Sequence, residues 1–433
     1  MNAMSQTINQ KRAYFIWFLC AFFFFAIYII RVSPSILTPT LMQLFHCDAL
    51  TIGAFSGFFY YPYIAMQIPV GLMMDVYSPK KIMVFSILTC LLSTLLFATM
   101  TTINMGYLSR FIMGFGASFA FVGSLRIAAL WFQPKQFAFL AGVSQSMGML
   151  GAMIGQGPIG IVYQWFGWRL VIWAMVVVFF LIALLMMYLF KMPQTTTSST
   201  PAKIKPWSAI LTILNNKQTW YNCLFIGLVY GPTACFGEQW GASFLSQHQG
   251  ISIDAAGQET GLMFIGIAIG CPLMGWLSDY IQRRLIIMQI GVLGCLISLS
   301  LIIYGSELPG HWVFDTTNYG LLLFVYGIAN SCIVASYAFA SEINPPHLTG
   351  IALGITNMAC VILGALMIPL VGFVLDATSS SAMLQSMPSF SSKGYQIAFA
   401  ALPIGLALAF LVSLLQKETY CRHRLNTEAE TSI

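Results

Sequence analysis

The sequence predicts an all-α membrane protein with twelve transmembrane helices in two pseudo-symmetric six-helix bundles, and three observations predict it. Of the 433 residues, 58% are hydrophobic and only 7% are charged, against roughly 25% charged in an ordinary soluble domain. Apolar runs of about 20 residues, the length that crosses a hydrocarbon core of about 30 Å, recur along the whole chain. Finally, Gly71-Leu-Met-Met-Asp75-Val-Tyr-Ser-Pro-Lys80-Lys81 returns in altered form as Gly275-Trp-Leu-Ser-Asp279-Tyr-Ile-Gln-Arg283-Arg284. Each copy sits where an apolar run breaks into a short basic loop, the mark of a duplicated membrane bundle.

Taken in order, the spans run from Tyr14 to Leu37, Leu50 to Asp75, Lys81 to Met100, Asn104 to Trp131, Phe137 to Gln164 and Trp168 to Phe190. The first follows Lys11-Arg12 but is too long for a signal peptide, carries Arg31 and lacks a small-residue cleavage site, so it reads as a retained helix. The fifth is rich in glycine, with Gly148, Gly151, Gly155, Gly157 and Gly160 beside Pro158, which lets helix backbones approach closely in lipid. A polar stretch follows, opening as a flexible linker and continuing through an apolar segment near Trp207 to Leu214 that suits the inner membrane surface. The second set runs from Thr219 to Phe244, Asp254 to Leu277, Arg284 to Tyr304, Thr317 to Ala340, Leu348 to Leu375 and Tyr395 to Gln416. Its fifth member repeats the glycine pattern with Gly350, Gly354, Gly364 and Gly372 beside Pro369. The expected division is an N-terminus of residues 1–13, a bundle over 14–190, a central loop over 191–218, a bundle over 219–416 and a tail over 417–433.

Orientation follows from the basic residues, which stay on the cytoplasmic side of short loops. With both termini inside, the inner edges collect Lys11, Arg12, Lys80, Lys81, Lys135, Lys191, Lys203, Lys205, Lys217, Arg283, Arg284, Lys417, Arg422 and Arg424, and the outer edges keep Arg169 and Lys393. The net charge of +6 therefore reports insertion into a bilayer and not nucleic-acid binding. No Asn-x-Ser/Thr sequon is present, which points to a bacterial inner membrane. Among the ten cysteines there is no CxxC pair, and all but Cys421 lie in or beside apolar segments as small hydrophobes. His46, His248, His311, His347 and His423 fall at loops or span ends without ligand spacing, so no metal is expected. No phosphate-cradling GxxxxGK[ST] loop is present, so no nucleotide cofactor is expected and transport energy must come from a gradient.

With these residues the chain resembles the major facilitator superfamily of transporters along essentially its whole length. In that family the loop after the second helix carries glycine, aspartate and basic residues, matched here by Gly71, Asp75, Lys80 and Lys81, while Val76 and Ser78 depart from the pattern. The later copy keeps Gly275, Asp279, Arg283 and Arg284. The resemblance implies an inner gate, with glycine allowing close contact to the other half and aspartate accepting bonds from a helix N-terminus or an arginine. Arg110-Phe-Ile-Met-Gly114-Phe-Gly116-Ala117 matches a second family pattern, and Gly167-Trp168-Arg169 a third. More narrowly, Tyr28-x-x-Arg31, Arg126 before Trp131-Phe132-x-Pro134, and Glu238-x-Trp240-Gly241 resemble bacterial organic-anion and amino-acid facilitators and lysosomal dipeptide carriers.

Ionisable residues inside spans are costly and are functional candidates by default. At 1.5 Å per residue Arg31 lies about 27 Å along the first helix, Arg110 about 9 Å from the outer end of the fourth, and Glu238 at a comparable outer depth in the seventh. Shifted by the offset that relates Gly71 to Gly275, Glu238 falls on Pro34, one turn from Arg31, so the two halves present opposite charges near one level. Arg31 and Arg110 suit a substrate carboxylate, Glu238 an ammonium group or a coupling proton. Tyr28, Asn330 and Tyr337 join them as substrate-site candidates, and Arg126 and Glu342 join the gate. Alternatives stand beside these: snorkelling for Arg31, ties to neighbouring carbonyls for Arg110, a solvated rim for Glu238, and interhelical packing for Tyr60, Tyr61 and Tyr63. The expectation is a monomeric carrier that couples a proton to a small carboxylate-bearing solute by alternating access. An efflux carrier of organic compounds and a transporter-like sensor are the alternatives, and no enzymatic constellation is visible.

Overall fold

The computed structural model describes residues 10–132, 134–190, 206–307, 318–345, 348–378 and 390–421. Among them there are helices and turns but no strand. The first half comprises α1 (Gln10–Phe45), α2 (Ala49–Gly57), α3 (Tyr60–Val76), α4 (Pro79–Thr99), α5 (Ile103–Trp131), α6 (Pro134–Gln156), α7 (Pro158–Phe166) and α8 (Trp168–Leu189). After α9 (Pro206–Leu214), the second half comprises α10 (Lys217–Pro232), a π-helical stretch over Thr233–Trp240, α11 (Gly241–Gln249), α12 (Ile253–Ile281), α13 (Arg284–Tyr304), α14 (Asn318–Asn330), α15 (Ile333–Glu342), α16 (Thr349–Thr378), α17 (Ser392–Phe399) and α18 (Ala401–Ser413). The face that carries the N-terminus is called inner below, and the opposite face outer.

Nine helices or helix pairs among the described residues are long and apolar enough to cross a membrane. The other three expected positions hold interrupted rods: α2 with α3, α6 with α7, and α10 with the π-helix and α11. The interruptions have local causes. Pro158 has no N–H to continue the ladder of α6 and instead opens α7 at its first position. Pro232 ends the regular turn before the π-helix. Side-chain caps fix several starts, among them Asp48 on Thr51 N, Ser252 on Ala255 N and Ser391 on Gly394 N.

The first helix corrects its expected span. It runs on to Phe45 through Pro34 and Pro39, which places Arg31 near the middle of the helix and not towards its end. Within the halves α1 packs on α6, α4 on α5, α10 on α16 and α12 on α14; across them, α16 packs on α2 and α3, and α12 on α6. Small residues make these seams. A Cβ on Gly114 would overlap the Phe59 carbonyl, and one on Gly116 would stand 2.8 Å from Cys90 Sγ, so the Arg110-to-Ala117 pattern is a close-packing face of α5.

Candidate substrate site between the halves

Arg31 and Glu238 meet in the buried interior, one from each half. Arg31 Nε donates to Glu238 Oε2 at 2.8 Å and Nη2 donates to Oε1 at 2.9 Å, a two-pronged contact between side chains that are 3% and 2% exposed. The Tyr230 hydroxyl donates to Oε1 at 2.7 Å, and the Tyr60 hydroxyl donates to Oε2. Four donors converge on one carboxylate, which matches the acceptor capacity of its ionised form. The guanidinium also donates to Tyr28 Oη at 3.2 Å and lies over the rings of Tyr28, Phe59, Tyr60 and Tyr63 at 4.8 to 5.9 Å. An aromatic cage of this kind supports a desolvated cation.

Local backbone structure on both sides aims these two groups. On α1, Pro34 cannot donate to the Ile30 carbonyl four residues earlier. The Ser33 hydroxyl and Arg110 of α5 take its place, Ser33 Oγ and Arg110 Nη1 each donating to Ile30 O at 3.0 Å and Arg110 Nη2 to Arg31 O at 3.0 Å. Thus the structure places Arg110 on the backbone that carries Arg31, with its side chain buried. Glu238 stands in the π-helical stretch, whose wider turn rotates the side chain relative to an α-helix. Gln156 of α6 holds that stretch by donating to Gly237 O at 2.6 Å, and Gln239 donates to Thr38 Oγ1 at 3.0 Å while accepting from Ser56.

Tyr337 and Asn330 lie apart from the fork. The Tyr337 hydroxyl donates to Asn357 Oδ1 at 2.7 Å, and Asn357 Nδ2 donates across the halves to Gln67 Oε1 at 2.6 Å. Asn330 is buried and donates to Val229 O at 3.1 Å. The sequence does not single out Gln67, Gln156, Gln239 or Asn357, and it leaves interhelical packing open as one reading of Tyr60. The four amides were visible as polar groups inside apolar spans; nothing in the sequence marks Tyr60 or Tyr230 above other tyrosines.

The expected gate residues divide. Arg284 donates to Asp279 Oδ1 at 2.6 Å, to Ser278 Oγ at 2.9 Å and to Glu342 Oε1 at 2.8 and 3.1 Å, so three of them form one cluster inside the second half. The tail closes over it: Glu418 accepts from Arg284 N and Leu285 N at 2.9 and 3.0 Å, and exposed Arg283 faces the Tyr420 ring. In the first half Lys80 donates to Met187 O at 2.8 Å, Lys81 is exposed and Arg126 is half-buried near the inner end of α5. The Asp75 side chain lies outside the described residues. Gly71 has open space beside it, and Gly275 meets only Val334 Cγ1, at 3.5 Å, in its own half. No group of three or more His, Cys, Asp or Glu among the described residues is placed to hold a metal.

The sequence profile of the Major Facilitator Superfamily matches residues 16–369. The chain belongs to that superfamily. Its members and the relatives found are transporters and not enzymes. This superfamily chain is 25% identical over 284 residues to the probable sulfoacetate transporter SauU of Cupriavidus necator, covering 61% of this chain and 64% of that one. It is 23% identical over 363 residues to the probable galactarate/D-glucarate transporter GarP of Escherichia coli, covering 76% and 80%. Among solved structures, a bacterial homologue of the human lysosomal transporter Spinster, in an inward-facing and unoccupied conformation, matches with a TM-score of 0.76 at 16% identity, covering 97% of this chain and 99% of that one. At that identity the likeness shows the fold, and it is the fold of a facilitator.

Proposed function

We propose that the protein is a monomeric, proton-coupled carrier of a small carboxylate-bearing organic anion in a bacterial inner membrane, with both termini cytoplasmic. The observation that carries the reading is the buried, fully bonded fork between Arg31 and Glu238. An arginine held in an aromatic cage between two mobile halves is a receptor for a planar anion, and Glu238 occupies that receptor when no substrate is present. A proton on Glu238 adds a hydrogen where four donors already point, so it breaks the fork and frees Arg31 for the substrate carboxylate. Competition between proton-sensitive glutamate and substrate for one guanidinium then ties the two fluxes together. Tyr28, Tyr60 and Tyr230 remain as hydroxyl donors for the bound anion, and Arg110 keeps Arg31 in position through its backbone. Gln67, Asn357 and Tyr337 suit the neutral polar end of the solute. The relatives' sulfoacetate, galactarate and D-glucarate all carry an anionic group of the kind an arginine fork takes.

A thermal-shift screen of the purified protein tests this. Amino acids, short peptides, sugar acids, sulfonates and nucleosides are compared, since a ligand bound to the folded state at 100 times its Kd stabilises it by about 2.7 kcal/mol. The reading expects stabilisation by one anionic class that is lost in Arg31→Met. Stabilisation that survives that substitution places the site elsewhere.

A further inference from the structure

The glycine-x-x-x-aspartate spacing of the two inner loops occurs again as Gly372-Phe-Val-Leu-Asp376 at the outer end of α16. There it is engaged. Asp376 Oδ1 accepts from Ala49 N at 3.0 Å and Oδ2 from Leu50 N at 2.8 Å, so a carboxylate of the second half caps the first turn of α2 in the first half. The charge lies at the positive end of that helix. One turn earlier Gly372 lets the two backbones touch, since a Cβ there would lie 2.5 Å from Ala49 O and 3.1 Å from Leu50 Cα.

Clearance then grows steadily along the same seam. A Cβ on Gly53 would be 2.9 Å from Ile368 O, one on Gly57 3.5 Å from Ala365 O, one on Gly354 3.8 Å from Gln67 O, and beside Gly350 nothing lies within 4 Å. The pair of rods is a wedge, tightest at Asp376 and widening toward the inner end, where Ile68 still packs against the cluster that includes Leu348, Ala352 and Ile355. At the other seam between the halves a second carboxylate of the second half, Asp254 of α12, abuts Gly160 of α7 and accepts from the Gln164 side chain.

We propose that Asp376 is the outer latch of this carrier: its two bonds to the start of α2 hold the outer mouth shut, and releasing them is the step that lets the outer face open. The proposal rests on movement of the halves and not on Arg31, Glu238 or the identity of the solute.

Hydrogen exchange on the full chain in lipid nanodiscs, without substrate, tests it. Asp376→Asn removes the charge. Ala49→Pro removes one donated N–H while leaving both carboxylates, at a first helical position that accepts proline. Each variant should shift the ratio of outer-open to inner-open molecules by about tenfold or more. The readout is taken away from α2. Residues 158–166 and 253–258, on the other seam, should exchange faster, while residues 66–76 and 349–357, at the inner end, exchange more slowly. The double variant should shift little beyond either single one. Faster exchange confined to α2, faster exchange at both ends, or no change would each overturn the latch. Because no ligand is used, such a failure leaves the proposed anion site standing, and a failed ligand screen leaves the latch standing.

Discussion

Removing both charges of the central fork should cost the protein little more than removing one. In Glu238→Gln the guanidinium keeps its aromatic cage but faces a neutral amide, whose NH2 group points hydrogens at donors already supplied by Arg31, Tyr60 or Tyr230. In Arg31→Met the carboxylate keeps two tyrosine hydroxyls and loses its counter-charge. Breaking one side of a buried, bonded pair costs about 3–5 kcal/mol, because the remaining charge is stranded where solvent cannot reach it. The double variant strands nothing, and methionine fills part of the arginine's volume. The coupling in the cycle should therefore be about 3 kcal/mol, with the double variant close in stability to either single one. For a chain of this size 1 kcal/mol moves a melting midpoint by on the order of 2 °C, so each single variant should melt roughly 6–10 °C lower in detergent. Equal detergent and salt conditions are needed for all four proteins. Additive losses, with the double variant falling by the sum of the two singles, would refute the assignment of this fork as a desolvated pair.

Other outcomes follow from the same geometry. Tyr60→Phe and Tyr230→Phe each delete one donor to Glu238 and should each cost about 1–2 kcal/mol in the same melting assay, since a bond to a charged group is the stronger kind. Arg110→Met leaves the Ile30 carbonyl with only the Ser33 hydroxyl in place of the bond that Pro34 denies it, and should lower stability by about 1–2 kcal/mol while also weakening ligand-induced stabilisation through misplacement of Arg31. Gly114→Leu drives a side chain into the Phe59 carbonyl, and should abolish the folded, monodisperse fraction on size-exclusion chromatography, while the same change at Gly142, which has open space, should not.

The architecture was legible because its signals are additive: long apolar runs, basic loops and a repeated signature each survive local exceptions. Arg31 and Glu238 were legible as well, since a charge inside an apolar run is rare and the internal repeat places the two at one level. Their direct contact was not, because a 1.5 Å rise per residue gives depth along a helix but not the rotation of a side chain about it. The π-helix over Thr233–Trp240 carries no sequence mark beyond Pro232 and the nearby Gly231, Gly237 and Gly241, yet it sets that rotation for Glu238. Arg110 shows the opposite case, where two readings fit the sequence and only the position of Ile30 and Arg31 carbonyls separates them. Glycine-x-x-x-aspartate stands out at the inner edge, where basic residues flank it. At Gly372 and Asp376 it lacks that flank, and its partner, the start of α2, is more than three hundred residues away in sequence.

The central claim is that Glu238 gives up Arg31 by taking a proton, and transport by Glu238→Gln in proteoliposomes tests it most directly. With a ligand from the stability screen, the variant should retain exchange of labelled for unlabelled solute while losing accumulation driven by an imposed pH gradient. Accumulation by the variant at the wild-type level would contradict the account.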